Sequence, residues 1–233
     1  MTFDQELEQG TLVKRYKRFL ADVTRTDGST ITIHCPNSGS MKSCSTPGSP
    51  VCFSTSDNPK RTYPHTLEMV HNGHTWIGVN TSRTNGLVAE AIALGTIGEL
   101  KNNGDIRREV KTSEGSRLDI LLERGAEKTY VEVKNCSLVI DGCALFPDAV
   151  TARGTKHLRE LARLAGQGHR AVIFFLVQRM DGKYFSPAEE IDPLYASTLR
   201  EVHETGVEIL AYQARVSPES IEVAGSIPVF LGT

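Results

Sequence analysis

Two consecutive segments alternate polar with apolar residues: Ser116-Arg117-Leu118-Asp119-Ile120-Leu121-Leu122-Glu123 and, after Arg124-Gly125-Ala126-Glu127, Lys128-Thr129-Tyr130-Val131-Glu132-Val133-Lys134. Alternation with a period of two is typical of half-buried β-strands. The short polar segment with a glycine between them favours a tight reversal of the chain. The sequence therefore predicts a β-hairpin with one face on the core.

The turn decides which side chains face each other across this hairpin. If the turn is centred on Gly125-Ala126, Asp119 lies opposite Glu132, and Arg117 lies opposite Lys134. Facing residues in an antiparallel pair have Cβ atoms about 5 Å apart. The apolar residues then share the opposite face, which we expect to pack on the core: Leu118, Ile120, Leu122, Val131 and Val133.

Two adjacent carboxylates need a counter-charge, and two interpretations supply one. In the first, Asp119 and Glu132 hold a magnesium ion, and Lys134 holds an attacking water or a phosphate oxygen. This arrangement serves metal-dependent cleavage of phosphodiesters. In the second, the face is a solvated surface whose charges pair across the strands, since an acid followed by a Glu-x-Lys pattern often occurs by chance.

Composition limits the function classes. The 233 residues include 26 Lys and Arg against 28 Asp and Glu, so a nucleic-acid site must be a local basic patch. We find neither an apolar run long enough for a membrane span nor a signal-peptide pattern, and expect a cytoplasmic protein without a membrane partner. The five cysteines form no CxxC pair, which favours reduced thiols over a disulfide framework or a zinc ribbon.

The first 82 residues contain only short strand-like segments punctuated by glycine and proline. We predict five strands, at residues 12–23, 30–34, 51–56, 66–70 and 75–79. Five short strands in about eighty residues are typical of a small closed barrel of the OB type, which is a common nucleic-acid platform. The loop from His34 to Met41 is rich in turn formers, and either presents backbone N–H groups to a phosphate or simply connects two strands.

A basic cluster lies within the first predicted strand. It interleaves four cations with two aromatic residues, the mixture that suits a surface binding a nucleic-acid backbone and stacking on bases: Lys14, Arg15, Tyr16, Lys17, Arg18 and Phe19. Residues 10–61 as a whole contain eight basic and three acidic residues. The alternative is an edge strand that charges protect from aggregation.

The second half of the chain reads as helix, three strands, helix, strand, helix, strand. Asn85 is a candidate N-cap of the first helix. A second helix is predicted at residues 155–165, with Lys156 in its first turn and Arg153 and His157 near its start. A helix N-terminus with adjacent cations attracts phosphate, although a basic solvated helix face is also common. Asp192 and Pro193 predict the start of the third helix.

This order, with Asp119 on the second strand and Glu132-Val133-Lys134 on the third, resembles the PD-(D/E)xK nuclease fold. Leu118 stands where that motif has proline, and Pro147-Asp148 follows the Glu-x-Lys segment and cannot take its place. Taken together, the longer blocks resemble the sugar fermentation stimulation protein family, SfsA: residues 15–23, 34–41, 116–119, 132–135 and 146–158.

The resemblance implies an α/β (α+β) chain with an N-terminal OB-like β-barrel at residues 1–82 and a PD-(D/E)xK nuclease-like α/β domain at residues 83–233. It carries the nuclease-motif positions to Asp119, Glu132 and Lys134. It also implies non-specific DNA binding and a regulatory role in sugar (maltose) use.

Two functions remain open at this stage. One is a DNA-binding protein that uses the nuclease-like domain as a scaffold for phosphate contacts. The other is a magnesium-dependent nuclease that acts on DNA or RNA. Fold alone does not choose between them, because function resides in the site.

Overall fold

The computed structural model describes residues 1–101 and 104–232. Their N-terminal part forms a closed barrel of five strands with a sixth at its edge. β1 pairs with β2 and β4, β2 with β3, and β4 with β5. A parallel bridge between His34 and Thr66 joins β3 to β5 and closes the ring. The strands are β1 (Glu8–Tyr16), β2 (Leu20–Arg25), β3 (Thr30–His34), β4 (Pro50–Thr55), β5 (His65–His71) and β6 (Trp76–Gly78).

The barrel agrees with the predicted strands except at the first. Residues 12–23 form two strands, because the chain reverses at Lys17 and Arg18, whose φ angles are 49° and 62°. Residues other than glycine seldom adopt this left-handed region, so the sequence has no turn signal there. Four predicted strands match β3 to β6 to within one residue at each end.

A second six-stranded sheet has the order β15-β14-β12-β9-β8-β7. Its central strand β12 runs parallel to both β9 and β14, and the other pairs are antiparallel. A small sheet of β10, β11 and β13 lies beside it, and the sequence did not predict it. The strands are β7 (Asp105–Ser113), β8 (Ser116–Arg124), β9 (Glu127–Cys136), β10 (Leu138–Ile140), β11 (Cys143–Phe146), β12 (Arg170–Val177), β13 (Tyr184–Pro187), β14 (Glu208–Val216) and β15 (Ile221–Ser226).

Helices cover both faces of this sheet. α1 (Thr84–Ala93) packs on one face, and α2 (Ala152–Gly166) and α3 (Pro193–Glu204) pack on the other. The three predicted helices are confirmed in their predicted order, but β10, β11, β13 and β15 are strands that the prediction lacks. The prediction of a hairpin with one solvated face is wrong, because a sheet between two helix layers has no open face.

The predicted register of the β8–β9 hairpin is confirmed from Ile120 opposite Val131 to the turn at Gly125-Ala126. One predicted core position differs, because Leu118 packs with α2 and α3 on the face opposite Ile120. The cause lies at Asp119, where pairing with β9 stops and the pair with Glu109 of β7 is missing. Glu109 has a φ of 55°, so the β7 backbone is irregular at the same level.

Two of the three helices start at other residues than the sequence predicted. α1 begins at Thr84, directly after a short 3₁₀ turn that Asn80 caps, so Asn85 is not an N-cap. α2 begins at Ala152 with the Thr151 hydroxyl as its cap. The start of α3 is confirmed, with the Asp192 carboxylate accepting a hydrogen bond from the backbone N–H of Tyr195.

The chain thus combines an N-terminal OB barrel with a mixed α/β domain. We place the boundary between them at residues 82 and 83 as a proposal. In the described ranges, no helix has the length and apolar character that crossing a membrane requires.

A buried carboxylate fixes the barrel to the start of α1. Glu68 of β5 is 1% exposed and accepts hydrogen bonds from Ser54, Asn80 and Arg83. The Arg83 guanidinium reaches both carboxylate oxygens, at 2.6 and 2.7 Å. Removing one partner of such a pair leaves the other charge uncompensated in a poorly solvated position.

We predict that Glu68→Ala lowers the free energy of unfolding by about 3 kcal/mol. Glu189→Ala is the matched control, because Glu189 also pairs with an arginine through both oxygens but is exposed. Its cost should stay below about 1 kcal/mol. Urea unfolding measures both values, and equal costs would show that Glu68 does not anchor the junction.

Candidate metal and nucleic-acid site

A cavity of about 500 Å³ lies where the barrel meets the second sheet. The barrel contributes Arg18 and the loop residues 37–39, and the hairpin contributes four polar side chains. We call this space the junction cavity. Its lining includes Asp119, Glu132, Lys134, Arg153 and His157.

The barrel wall of the junction cavity is held by polar contacts. One terminal nitrogen of Arg15 donates to the backbone carbonyls of Arg18, Asn37 and Gly39 at 2.6 to 2.9 Å. The Asp148 carboxylate accepts a hydrogen bond from the backbone N–H of Met41 at 3.0 Å. A Cβ atom at Gly39 would lie 2.5 Å from both Asp148 oxygens, so this close approach requires glycine. The loop is therefore a fixed wall that joins the barrel to the second domain.

Asp119 occupies the break in the hairpin ladder. Its carboxylate accepts a hydrogen bond from the backbone N–H of Val133 and another from the Asn85 side chain, both at 2.8 Å. Burial, reinforced by the neighbouring charge of Glu132, raises the pKa of Asp119 to about 6. The backbone N–H, Lys134 and Asn85 oppose this rise without cancelling it.

Glu132 is almost fully buried and carries its own counter-charges. One oxygen, Oε1, contacts the Lys134 ammonium at 2.5 Å and also the His157 ring. Burial alone would raise the pKa of Glu132, but the contacts with His157 and Lys134 outweigh it and leave the pKa below its usual value. The other oxygen, Oε2, is buried without a hydrogen-bond partner.

These donors fit a hard divalent cation. Magnesium is usually held by one or two carboxylates, with water or substrate phosphate in the remaining positions. Asp119 and Glu132 supply two carboxylates. The Oε2 atom of Glu132 has no hydrogen-bond partner and is free to bind a cation. Over the described residues there is no group of three or more His, Cys, Asp and Glu side chains that could enclose a metal. The junction cavity therefore offers two carboxylates to a cation and leaves the remaining coordination positions to water or phosphate.

The structure separates the predicted DNA-contacting residues into two groups. Arg18 and Arg153 line the junction cavity, Lys17 is exposed, and Lys156 is exposed while its ammonium reaches a backbone carbonyl, that of Gly115. Lys14 is exposed and lies 3.5 Å from Asp22.

The other three predicted DNA contacts have partners within the protein, and their contact with DNA stays a prediction. Arg15 is committed to three carbonyls, and the Tyr16 hydroxyl donates to Asp22. His157 is buried against Glu132, with its other ring nitrogen 3.4 Å from Nε of Arg153. Arg15 and His157 have partners 22 to 25 residues away, so the sequence could not distinguish them from exposed cations.

The predicted pairing of Arg117 with Lys134 is also wrong. Strand pairing between β8 and β9 stops before these residues, and Arg117 lies opposite Lys111 of β7. Asn85 belongs to the site, although the sequence predicted it to be the N-cap of the first helix. Its side chain bridges Asp119 and Glu109, a contact that depends on where α1 packs.

Fold and site together define a two-domain protein with an OB barrel and a PD-(D/E)xK nuclease-like domain. The family model for the sugar fermentation stimulation protein RE domain matches residues 82–220, and that for the SfsA N-terminal OB domain matches residues 13–79. The chain belongs to the sugar fermentation stimulation protein family.

Individual relatives agree with this assignment. A sugar fermentation stimulation protein homolog of Desulfotalea psychrophila is 58% identical over 93% of this chain and 92% of its own length. The homolog of Geobacter sulfurreducens is 53% identical over the full length of both. The structure of Pyrococcus furiosus SfsA in complex with Ca²⁺ aligns with a TM-score of 0.89 and 26% identity, covering 99% of this chain and 98% of the other.

The raised pKa of Asp119 generates a stability prediction for the metal-free protein. Since the folded state holds this proton more tightly than the unfolded state, the ionised Asp119 opposes folding above pH 6 and has no such effect below about pH 4. We predict that Asp119→Asn, in the presence of a chelator, raises the free energy of unfolding by about 2 kcal/mol at pH 7. The gain should disappear near pH 4.

Urea unfolding at several pH values between 4 and 8 measures this difference. Glu123→Gln is the control, because Glu123 lies on the same strand but faces Arg107 and Lys128 outside the cavity. An Asp119→Asn gain that is independent of pH would contradict the assignment of the proton to Asp119.

Proposed function

We propose that this protein binds DNA non-specifically across the junction cavity, through phosphate contacts. The observation that carries the proposal is the composition of that cavity, where Asp119, Glu132 and Lys134 share the lining with Arg18 of the barrel and Arg153 of α2. Carboxylates that hold a cation, flanked by arginines, form a surface complementary to a phosphodiester backbone. Arginine presents a planar fork of donors that matches phosphate oxygens.

A regulatory role in sugar metabolism is part of the proposal. The family is named for the stimulation of sugar fermentation, and a DNA-binding protein would act on that process through its target genes. We therefore place this protein among DNA-binding regulators, with the nuclease-like domain as the platform for the backbone.

The first functional prediction concerns salt. A triple variant with Lys17→Ala, Arg18→Ala and Arg153→Ala should bind duplex DNA at least tenfold more weakly at about 0.1 M salt. The slope of log affinity against log salt should fall by about 1 for each phosphate-binding cation that the variant removes. Arg15 is left intact, because its three carbonyl contacts hold the cavity wall.

The control for this measurement removes cations away from the cavity. Arg107 and Lys128 are exposed and pair with Glu123. The double variant Arg107→Ala/Lys128→Ala should retain nearly all of the affinity. Equal decreases in the two variants would show that general charge, and not the junction cavity, attracts DNA.

Metal-dependent cleavage of phosphodiesters is the second candidate function, and the orphan oxygen of Glu132 favours it. Asp119 and Glu132 would hold Mg²⁺, which when bound supplies Lewis-acid activation of a phosphate oxygen and of a water. Lys134 lies in the same cavity and places a positive charge beside Glu132. His157 and Asn85 orient the two carboxylates through direct contacts. The calcium complex of the Pyrococcus furiosus relative agrees with a divalent-cation site in this family.

We predict that Asp119→Ala abolishes binding of Mg²⁺ or Ca²⁺ in isothermal titration calorimetry and abolishes cleavage of labelled DNA or RNA. Lys134→Ala should slow cleavage strongly while metal binding persists, because it removes a charge next to the site and no proposed ligand. Glu123→Ala is the control carboxylate on the same strand. Metal binding by the wild type without any cleavage would leave DNA binding as the function and exclude the nuclease.

A further inference from the structure

A second cavity, of about 430 Å³, lies between the β7–β8 turn and the first turns of α2 and is lined by four cations. β7 and β8 contribute Lys111 and Arg117, and α2 contributes Arg153 and Lys156. We call this space the basic cavity. Its other lining residues are Gly115, Ser116 and His157. Among the residues that the structure describes, no acid lines this cavity.

The two strand cations face each other directly. Lys111 of β7 is the cross-strand partner of Arg117 of β8. Like charges in directly opposite positions of an antiparallel pair repel and destabilise the sheet. Both side chains are exposed, so water screens much of this repulsion, and the pair leaves a local excess of positive charge that suits an anion.

Acidic side chains nearby do not neutralise the cluster. Glu109 lies 3.9 Å from Arg117, at the limit of an ion pair, and both side chains are exposed. Glu160 of α2 is committed to Arg163, whose guanidinium lowers the Glu160 pKa to about 2. Lys156 donates to the Gly115 carbonyl, which positions the ammonium and leaves its charge uncompensated.

The basic cavity adjoins the junction cavity. Arg153 and His157 line both, and the two side chains are in contact. His157 in turn contacts Glu132, so a short chain of side chains connects the carboxylates to the cations. If one phosphate of a nucleic-acid strand lies at the carboxylates, a neighbouring phosphate of the same strand would lie within reach of the basic cavity.

We propose that the basic cavity binds a backbone phosphate of the nucleic-acid strand, next to the phosphate held at Asp119 and Glu132. The proposal rests on nucleic-acid binding at the junction cavity and adds a second subsite to it. Lys111 and Arg117 are its determinants, and the sequence assigned neither of them to DNA. The ligand chemistry is a phosphate group, and the phosphodiester of a strand and free inorganic phosphate are its two sources.

The test uses the full-length double variant Lys111→Ala/Arg117→Ala with Arg107→Ala/Lys128→Ala as the control of equal charge change. Binding of a labelled oligonucleotide is measured by fluorescence anisotropy over a series of salt concentrations, in calcium to prevent cleavage. We expect about tenfold weaker binding at about 0.1 M salt and a salt slope reduced by about 1 for the first variant. The control should change by less than about twofold.

Two further measurements keep the outcomes distinct. Thermal unfolding without ligand should show Lys111→Ala/Arg117→Ala at least as stable as the wild type, since the substitution removes a repulsive pair. Inorganic phosphate, titrated into the wild type, should compete with the oligonucleotide only weakly if the subsite recognises a strand.

Each remaining result overturns something specific. Unchanged oligonucleotide affinity in the Lys111→Ala/Arg117→Ala variant, with a wild type that binds, overturns the subsite and leaves the proposed function standing. A wild type that binds no nucleic acid overturns both. Tight competition by inorganic phosphate, with loss of that competition in the variant, would assign the cavity to the free anion and reject the strand subsite.

Discussion

The side chain of Asp119 takes over a hydrogen bond in the centre of a β-sheet. Its carboxylate accepts from the backbone N–H of Val133, at the level where the pairing of β8 with β9 ends. A buried N–H needs an acceptor, so the side chain satisfies the backbone while it opens the ladder. The site lies at this opening, since continued pairing would have extended the ladder through the level of Asp119 and Glu132.

This exchange explains the electrostatics of the site. Asp119 is half-buried because it lies within the sheet, and its pKa is raised by this loss of solvent first and by Glu132 second. Glu132 is stabilised as an anion by His157 and Lys134. The two acids therefore differ in pKa although they share a cavity, and a divalent cation would stabilise the charge of Asp119 most.

The barrel contributes geometry as well as charge. The loop of residues 37–41 is held from the barrel side by Arg15, which donates to Asn37 and Gly39, and from the second domain by Asp148, which accepts from Met41. Both contacts are charge-assisted hydrogen bonds, which are stronger than neutral ones. The presence of Arg18 in the same cavity as the carboxylates therefore depends on how the two domains meet. Cations that continue around α2 extend the positive surface beyond this wall.

Local patterning in the sequence determined much of this protein. Alternation and the Gly125-Ala126 turn gave the hairpin and its register, and capping residues gave the start of α3, because these signals act between residues close in the chain. Asp119, Glu132 and Lys134 came together for the same reason, since one hairpin carries all three. The resemblance in longer blocks gave the family and the OB barrel.

Only the tertiary structure decided how those residues are used. The chain reverses at Lys17 and Arg18 without a glycine, so no local signal predicts the turn. Both faces of the hairpin are covered because helices distant in the chain pack on them. The partners of Asn85 and His157 lie 34 and 25 residues away, at Asp119 and Glu132. Contacts of this kind depend on how layers pack, and spacing along the chain does not encode that packing.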